Sequence, residues 1–207
     1  FMKKSIKMLS GAMASAIALS VGLLSSAPVV NAAGISINSS NFPDADFREF
    51  VKEHYDPNGD GILSQSEIDD TYDFYYYGDY ENKTDVTGIE YFTELVELAL
   101  GGCRLESFDA SDFKNLEWLD LEENELTSVD LSGLDSLLCL DISYNSFTGI
   151  DLSSCPNLKY LYCSSNRITS LDLSVCPNLL YVNCSWNVLS SLDLRKNTKL
   201  QGIYCTA

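Results

Sequence analysis

Histidine is almost missing from this sequence: His54 is the single one in 207 residues. Acid–base pairs built on imidazole and histidine-rich metal sites therefore have no raw material. His54 falls at the end of an expected helix, where a surface role is the default. No Ser–His–Asp set, zinc-type spacing or glycine-rich phosphate loop occurs, so nothing points to catalysis. Basic residues are the second scarcity. Thirteen Lys and Arg stand against 30 Asp and Glu, a net charge of −17. Such an excess repels phosphate backbones and anionic lipid, which argues against nucleic acid and bare membrane as partners. Long apolar runs are scarce too, and the one present lies at the N-terminus. Lys3, Lys4 and Lys7 lead into Met8 to Leu24, and small residues up to Ala32 suit cleavage before Ala33. Ser10, Gly11, Ser15, Ser20 and Gly22 interrupt the run and Pro28 follows it, which favours a secretory signal over a spanning anchor. The expected mature protein is secreted or surface-attached, with no membrane insertion after signal removal.

What the chain has in abundance is a period of 21. Leu95, Leu116, Leu137, Leu158, Leu179 and Leu200 recur without insertion. Three residues on come Leu98, Leu119, Leu140, Leu161, Val182 and Ile203, and two further on Leu100, Leu121, Ile142, Cys163, Cys184 and Cys205. Asn124, Asn145, Asn166 and Asn187 share another column, in which the first unit has Cys103. Leu105, Leu126, Phe147, Ile168 and Leu189 follow. This L-x-x-L-x-L-x-x-N-x-L pattern is that of a leucine-rich repeat. It predicts an α/β-type repeat solenoid, specifically a right-handed leucine-rich-repeat β-solenoid. Short strands such as Trp118–Glu122 and Tyr160–Ser164 should stack in parallel along a concave inner sheet. The Asn column should bond backbone groups in the turn after each strand. A second extended stretch is expected at Val129-Asp-Leu131 and its equivalents, leucines inward and Asp outward. Its Asp ladder (Asp109, Asp130, Asp151, Asp172, Asp193) reads as solvated or bonded to nearby hydroxyls rather than as a metal site.

Seven cysteines in an exported chain would ordinarily suggest disulfides. Here Cys163, Cys184 and Cys205 stand in a leucine column, and Cys155 and Cys176 in the column of Phe113 and Leu134. They read as buried free thiols replacing core hydrophobes, suited to a reducing or oxygen-poor habitat. Cys139 falls in an outward column and is expected to be the reactive one.

The chain divides into a signal peptide (1–32), a helical EF-hand-like calcium-binding cap (33–73), a degenerate capping repeat (74–94) and the repeats (95–207). In the cap a helix is expected from near Pro43, with Phe47, Phe50 and Val51 as its apolar stripe. Asp56 to Glu67 then matches D-x-[DN]-x-[DN]-G-x₅-E at every position. Asp56, Asn58 and Asp60 offer hard oxygens and Gly61 the sharp turn. Ile62 offers a carbonyl, Ser64 acts directly or through water, and Glu67 closes the site with both oxygens. One Ca²⁺ is the expected cofactor. No second loop is present, so a structural role is favoured over signalling. Ser64 and Glu67 also form a capping box for a second short helix.

The outward strand positions form the other candidate site. Trp118, Asp120, Asp141, Tyr160, Tyr162, Tyr181, Asn183 and Tyr204 place aromatic rings beside carboxylates and amides, a mixture suited to recognising a protein or glycan. The alternative is that these large residues only support one another across the ladder.

Several of these stretches together resemble the bacterial secreted and cell-surface leucine-rich-repeat proteins related to the internalins. They include Leu171-Asp-Leu-Ser174, Cys155-Pro-Asn-Leu158, its equivalent Cys176–Leu179, and Tyr162-Cys-Ser-Ser-Asn166. The lead-in from Asn41 to Phe47 ahead of the calcium loop belongs with them. The resemblance implies non-enzymatic binding of an extracellular protein through the concave face. Three features depart from the group: a period of 21 rather than 22, Cys103 in place of Asn, and a chain that stops at Ala207 within a repeat. The last suggests that the natural chain continues. That leaves open a second role, a targeting or spacer region of a larger secreted or cell-wall protein, even an enzyme with its catalytic part elsewhere.

Overall fold

The computed structural model describes residues 34–206, so the expected signal peptide lies outside the described residues. Seven strands form one parallel sheet in chain order: β3 (Asp73–Tyr77), β4 (Glu97–Gly101), β5 (Trp118–Asp120), β6 (Cys139–Asp141), β7 (Tyr160–Tyr162), β8 (Tyr181–Asn183) and β9 (Gly202–Tyr204). From β4 onward the register advances by one repeat per rung, Glu97 beside Trp118 and Trp118 beside Cys139. The first step is longer, with Asp73 beside Glu97. Hence the degenerate coil has a complete rung of its own. From β5 on the strands are shorter than expected, three residues rather than five.

The leucine columns point into one continuous core. Leu95, Leu116, Leu137, Leu158 and Leu179 have no exposed surface, nor do Leu119, Leu140, Leu161 and Val182. Burying one such side chain contributes roughly 1.5–3 kcal/mol, and six coils share the spine. Phe113, Cys155 and Cys176 fill a second column at the back of the coil. The second extended stretch does not form a sheet; Asp109 and Asp130 make the one isolated bridge among the described residues. Its alternation survives, because Leu131, Leu152 and Leu173 are buried whereas Asp151 and Asp172 are exposed. Tight turns close the back of each coil, as where the amides of Leu134 and Leu137 donate to the carbonyls of Leu131 and Leu134. A 21-residue coil has no slack for a helix there.

Each Asn of the ladder ties two coils together. The Asn145 side-chain oxygen accepts the Leu126 amide at 2.9 Å, and its NH₂ donates to the carbonyls of Leu121 at 2.8 Å, Ile142 at 3.2 Å and Ser143 at 3.1 Å. Asn124, Asn166 and Asn187 repeat the pattern. The residue before each Asn turns through the left-handed region: Glu123 (φ 58°), Tyr144 (54°), Ser165 (55°) and Trp186 (56°), with Gly102 (66°) at the equivalent place. Non-glycine residues resist that conformation by about 1–2 kcal/mol. The Asn bonds over-determine it.

The cap comprises α1 (Ala45–Tyr55), α2 (Gln65–Asp69) and a small antiparallel pair, β1 (Ile35–Ser36) with β2 (Ile62–Leu63). Helix α1 begins two residues later than expected. Pro43 stays outside it, and Asp44 caps it by accepting the amides of Asp46 at 3.0 Å and Phe47 at 2.9 Å. Phe47 and Val51 are fully buried against β3 and the first coil. The Phe47, Phe50 and Tyr55 rings pack on Phe74, Tyr55 being stacked at 4.5 Å. Gly88 joins this cap to the solenoid at φ 107°, and a Cβ there would stand 2.2 Å from the Phe42 ring. Among the described residues no helix is long and apolar enough to cross a membrane.

Candidate ligand-binding face and calcium loop

Alternation along each strand turns Trp118, Cys139, Tyr160 and Tyr181 outward in one row and Asp120, Asp141, Tyr162, Asn183 and Tyr204 in the next. All eight candidates therefore share the inner sheet face, but they differ in access. Trp118, Tyr160, Tyr162, Tyr181 and Asn183 are half-buried and Tyr204 is 57 % exposed. Asp120 and Asp141 depart from the expectation of free ligand contacts: only 2 % and 5 % of their surfaces are accessible. Their carboxylates turn back onto the sheet, where Asp120 accepts the Glu122 amide at 2.9 Å and Asp141 the Ser143 amide at 2.8 Å. Tyr77 covers Asp120 through its hydroxyl, which donates to Asp120 Oδ2 at 3.2 Å. Asp120, Glu122 and Asp141 oxygens lie within 4.8 Å of one another. Burial first, then the neighbouring Asp120 and Glu122, holds the Asp141 carboxyl well above the usual carboxylate range. Burial raises Asp120 as well.

Aromatic rings on this face lean over small neighbours. Tyr181 lies over Gly202, where a Cβ would stand 2.5 Å from the ring, and Tyr77 lies against Gly101. Tyr75 packs 5.8 Å from Trp118 and donates its hydroxyl to Glu97. Glu97, Tyr75 and Tyr77 extend the face beyond the expected set. One step back from Trp118 along the period finds Glu97. The tyrosines escape such a step because the first coil is longer than 21 residues.

Cys139 also departs from expectation. Half-buried between Trp118 and Tyr160, its thiol is pushed well above the usual range by burial and then by Asp141 and Asp120. The exposed thiol is Cys205, since its column has no covering coil among the described residues. Cys103, Cys155, Cys163, Cys176 and Cys184 are buried and free. Burial pushes Cys155 up to about 12 and Cys176 up to about 11. The Asp ladder engages its own backbone. Asp130, Asp151 and Asp172 each accept the amide two residues on at 2.9 Å.

In the loop from Asp56 to Glu67 the acceptors engage nearby amides. Asp56 takes the Gly59 amide at 2.9 Å and the Gly61 amide at 2.8 Å, while Asn58 and Asp60 take the amides of Asp60 and Ile62. Glu67 reaches back across the loop, with Oε1 on the Asn58 NH₂ and Oε2 on the Ser64 amide, each at 2.8 Å. The Ser64–Glu67 capping box starts α2 as expected. Gly61 stands at φ 77° with open space around it, so the sharp turn is unobstructed. Ile62 sits on β2, paired to Ser36 of β1, which braces the loop from the side. The donor set fits a hard oxygen-seeking cation: Asp56, Asn58, Asp60 and Glu67 side chains, the Ile62 carbonyl and Ser64.

Residues 93–147 and 157–179 each match the leucine-rich-repeat family. Together with the stacked parallel rungs and the Asn ladder, these matches decide the architecture. The chain folds as a leucine-rich-repeat solenoid. Solved structures that resemble it include two internalins. An internalin (inlF) from Listeria monocytogenes is 21 % identical with a TM-score of 0.57, over 82 % of this chain and 58 % of that one. Internalin C2 (inlC2) from the same organism is 21 % identical with a TM-score of 0.56, over 85 % and 99 %. This leucine-rich-repeat chain thus spans little more than half the length of the first. No curated protein sequence matches it.

Proposed function

We propose that this is a non-enzymatic extracellular binding module of bacterial, internalin-like type, which holds a protein or glycan on its concave sheet. The observation that supports this most is the half-exposed row of Trp118, Tyr160 and Tyr181 on one rigid face, with Tyr204 beside it. Such rings supply contact area at little entropic cost, and the half-buried Asn183 supplies a polar group for orientation. The leader-like N-terminus and the internalin-like architecture support a secreted or surface location. In the same reading Asp56, Asn58, Asp60, Ile62, Ser64 and Glu67 hold one Ca²⁺, whose charge offsets that of Asp56, Asp60 and Glu67 and stiffens the cap. Probing a protein and glycan array with the calcium-loaded mature chain should find a ligand whose retention is lost in Trp118→Ala/Tyr160→Ala. Unchanged retention by that double variant would mean the rings only brace the sheet.

A further inference from the structure

Cys184 and Cys205 stand one repeat apart in the same column. The register that sets Asn183 beside Tyr204 brings them side by side on neighbouring rungs. Backbone bonds hold both sides of the pair: the Cys184 amide donates to the Tyr204 carbonyl at 2.8 Å, and the Trp186 amide to that of Thr206 at 2.6 Å. Adjacent rungs lie about 4.8 Å apart, within the span of about 4.4–6.8 Å between α-carbons that a disulfide bridges. The two thiols also feel each other, since burial first and then Cys205 raise the Cys184 thiol.

Access separates this pair from the other cysteine neighbours. Cys155, Cys163 and Cys176 have no exposed surface. Cys205 is exposed, and with Cys184 it lines an open cavity of about 190 Å³, bounded also by Asn187, Leu189, Leu192 and Thr206. A small molecule entering there meets Cys205 first and has Cys184 beside it. The strand that carries this corner, β9, is the edge of the sheet and pairs with β8 alone.

We propose that Cys184 and Cys205 form a reversible redox couple, which a low-molecular-weight organic disulfide oxidises to an intrachain bridge that pins β9 to β8. The Cys205 thiolate attacks one sulfur of the organic disulfide, whose S–S bond breaks. One thiolate leaves and takes up a proton. Cys184 then gives its proton to solvent and attacks the Cys205 sulfur of the mixed disulfide, which forms the bridge and releases the second thiol. Two protein thiols lose two electrons, one organic disulfide gains them to become two thiols, and protons balance. Because the Cys184 thiol is raised, the second step quickens as pH rises.

Incubation of the folded full chain with bis(2-hydroxyethyl) disulfide, followed by intact mass and peptide mapping, tests this. The chain should lose two hydrogens, retain no adduct and yield a linked Cys184–Cys205 peptide that dithiothreitol separates. Cys184→Ala should stop at the mixed disulfide, keeping one mercaptoethanol adduct on Cys205, and Cys205→Ser should stay unmodified. In the bridged form the β9 amides should exchange at least about tenfold more slowly. An adduct that persists on Cys205 of the unmodified chain, a bridge to another cysteine or to a second chain, or an unreactive Cys205 would overturn the couple. Unchanged β9 exchange in the bridged form would overturn the pinning. Should Cys184→Ala fail to fold, the peptide map of the unmodified chain decides alone.

Discussion

Asn145 shows how much a single residue does here. Its oxygen and NH₂ satisfy one amide and three carbonyls in two adjacent coils, at a site that water reaches poorly. Asn145→Ala should therefore cost about 2–4 kcal/mol in urea unfolding, more than one net hydrogen bond, because several buried groups lose their partner together. The residue before each Asn carries an opposite, local cost. Ser165 at φ 55° resists its left-handed backbone, and Ser165→Gly should stabilise by about 0.5 kcal/mol once glycine's extra unfolded-state entropy is subtracted. Asp141 makes the third residue-scale case. Its carboxyl is raised in the fold, so between the unfolded value and the folded one the native state binds the extra proton. Its contribution to stability is fullest below the unfolded pKa and declines as pH rises through that window. Asp141→Asn should thus be more stable than the unmodified chain at neutral pH, with the advantage shrinking toward pH 4, as read by melting curves. The Asp ladder behaves in the opposite sense. Asp193, held down to about 2 by Arg195, contributes above the unfolded carboxylate value and loses that contribution on acidification.

The cap is the element to which the proposed calcium ion belongs. Asp56, Asp60 and Glu67 lie on the short stretch from the end of α1 into α2, where the proposed cation would offset their charge. Glu67→Gln should lower the melting temperature in calcium and leave it unchanged in a chelator; equal shifts in both conditions would remove the metal from the account. The motif was legible in the sequence because every ligand lies within one short loop. Its brace was not, since β1 pairs with β2 across the intervening residues 37–61, which share no pattern. The start of α1 was misplaced for a local reason. Asp44 outcompetes Pro43 as the boundary because its side chain can accept two orphan amides, which proline cannot do.

At the scale of the whole molecule, stability is a sum of coils and the interfaces between them. Leu161→Ala, at the centre of the spine, should cost about 2–5 kcal/mol because its neighbours above and below cannot collapse into the space. Hydrogen exchange should be slowest in β5 to β7 and fastest at β9, where Leu200 and Ile203 remain half-exposed. The repeat columns by themselves determined the inward residues, the parallel rungs and the row of outward rings, because a fixed period returns each position to the same face. They could not tell an outward residue from an accessible one. Asp120, Asp141 and Cys139 sit in outward columns and are nonetheless covered, by Tyr77, Trp118 and their own turns. Nor could the period reach Tyr75 and Tyr77, whose coil has a different length. Accessibility is decided by which side chains lean across the neighbouring rungs, and that depends on ring size and on gaps such as Gly101 and Gly202. Periodicity assigns each residue to a face; only packing between coils decides what a partner could touch.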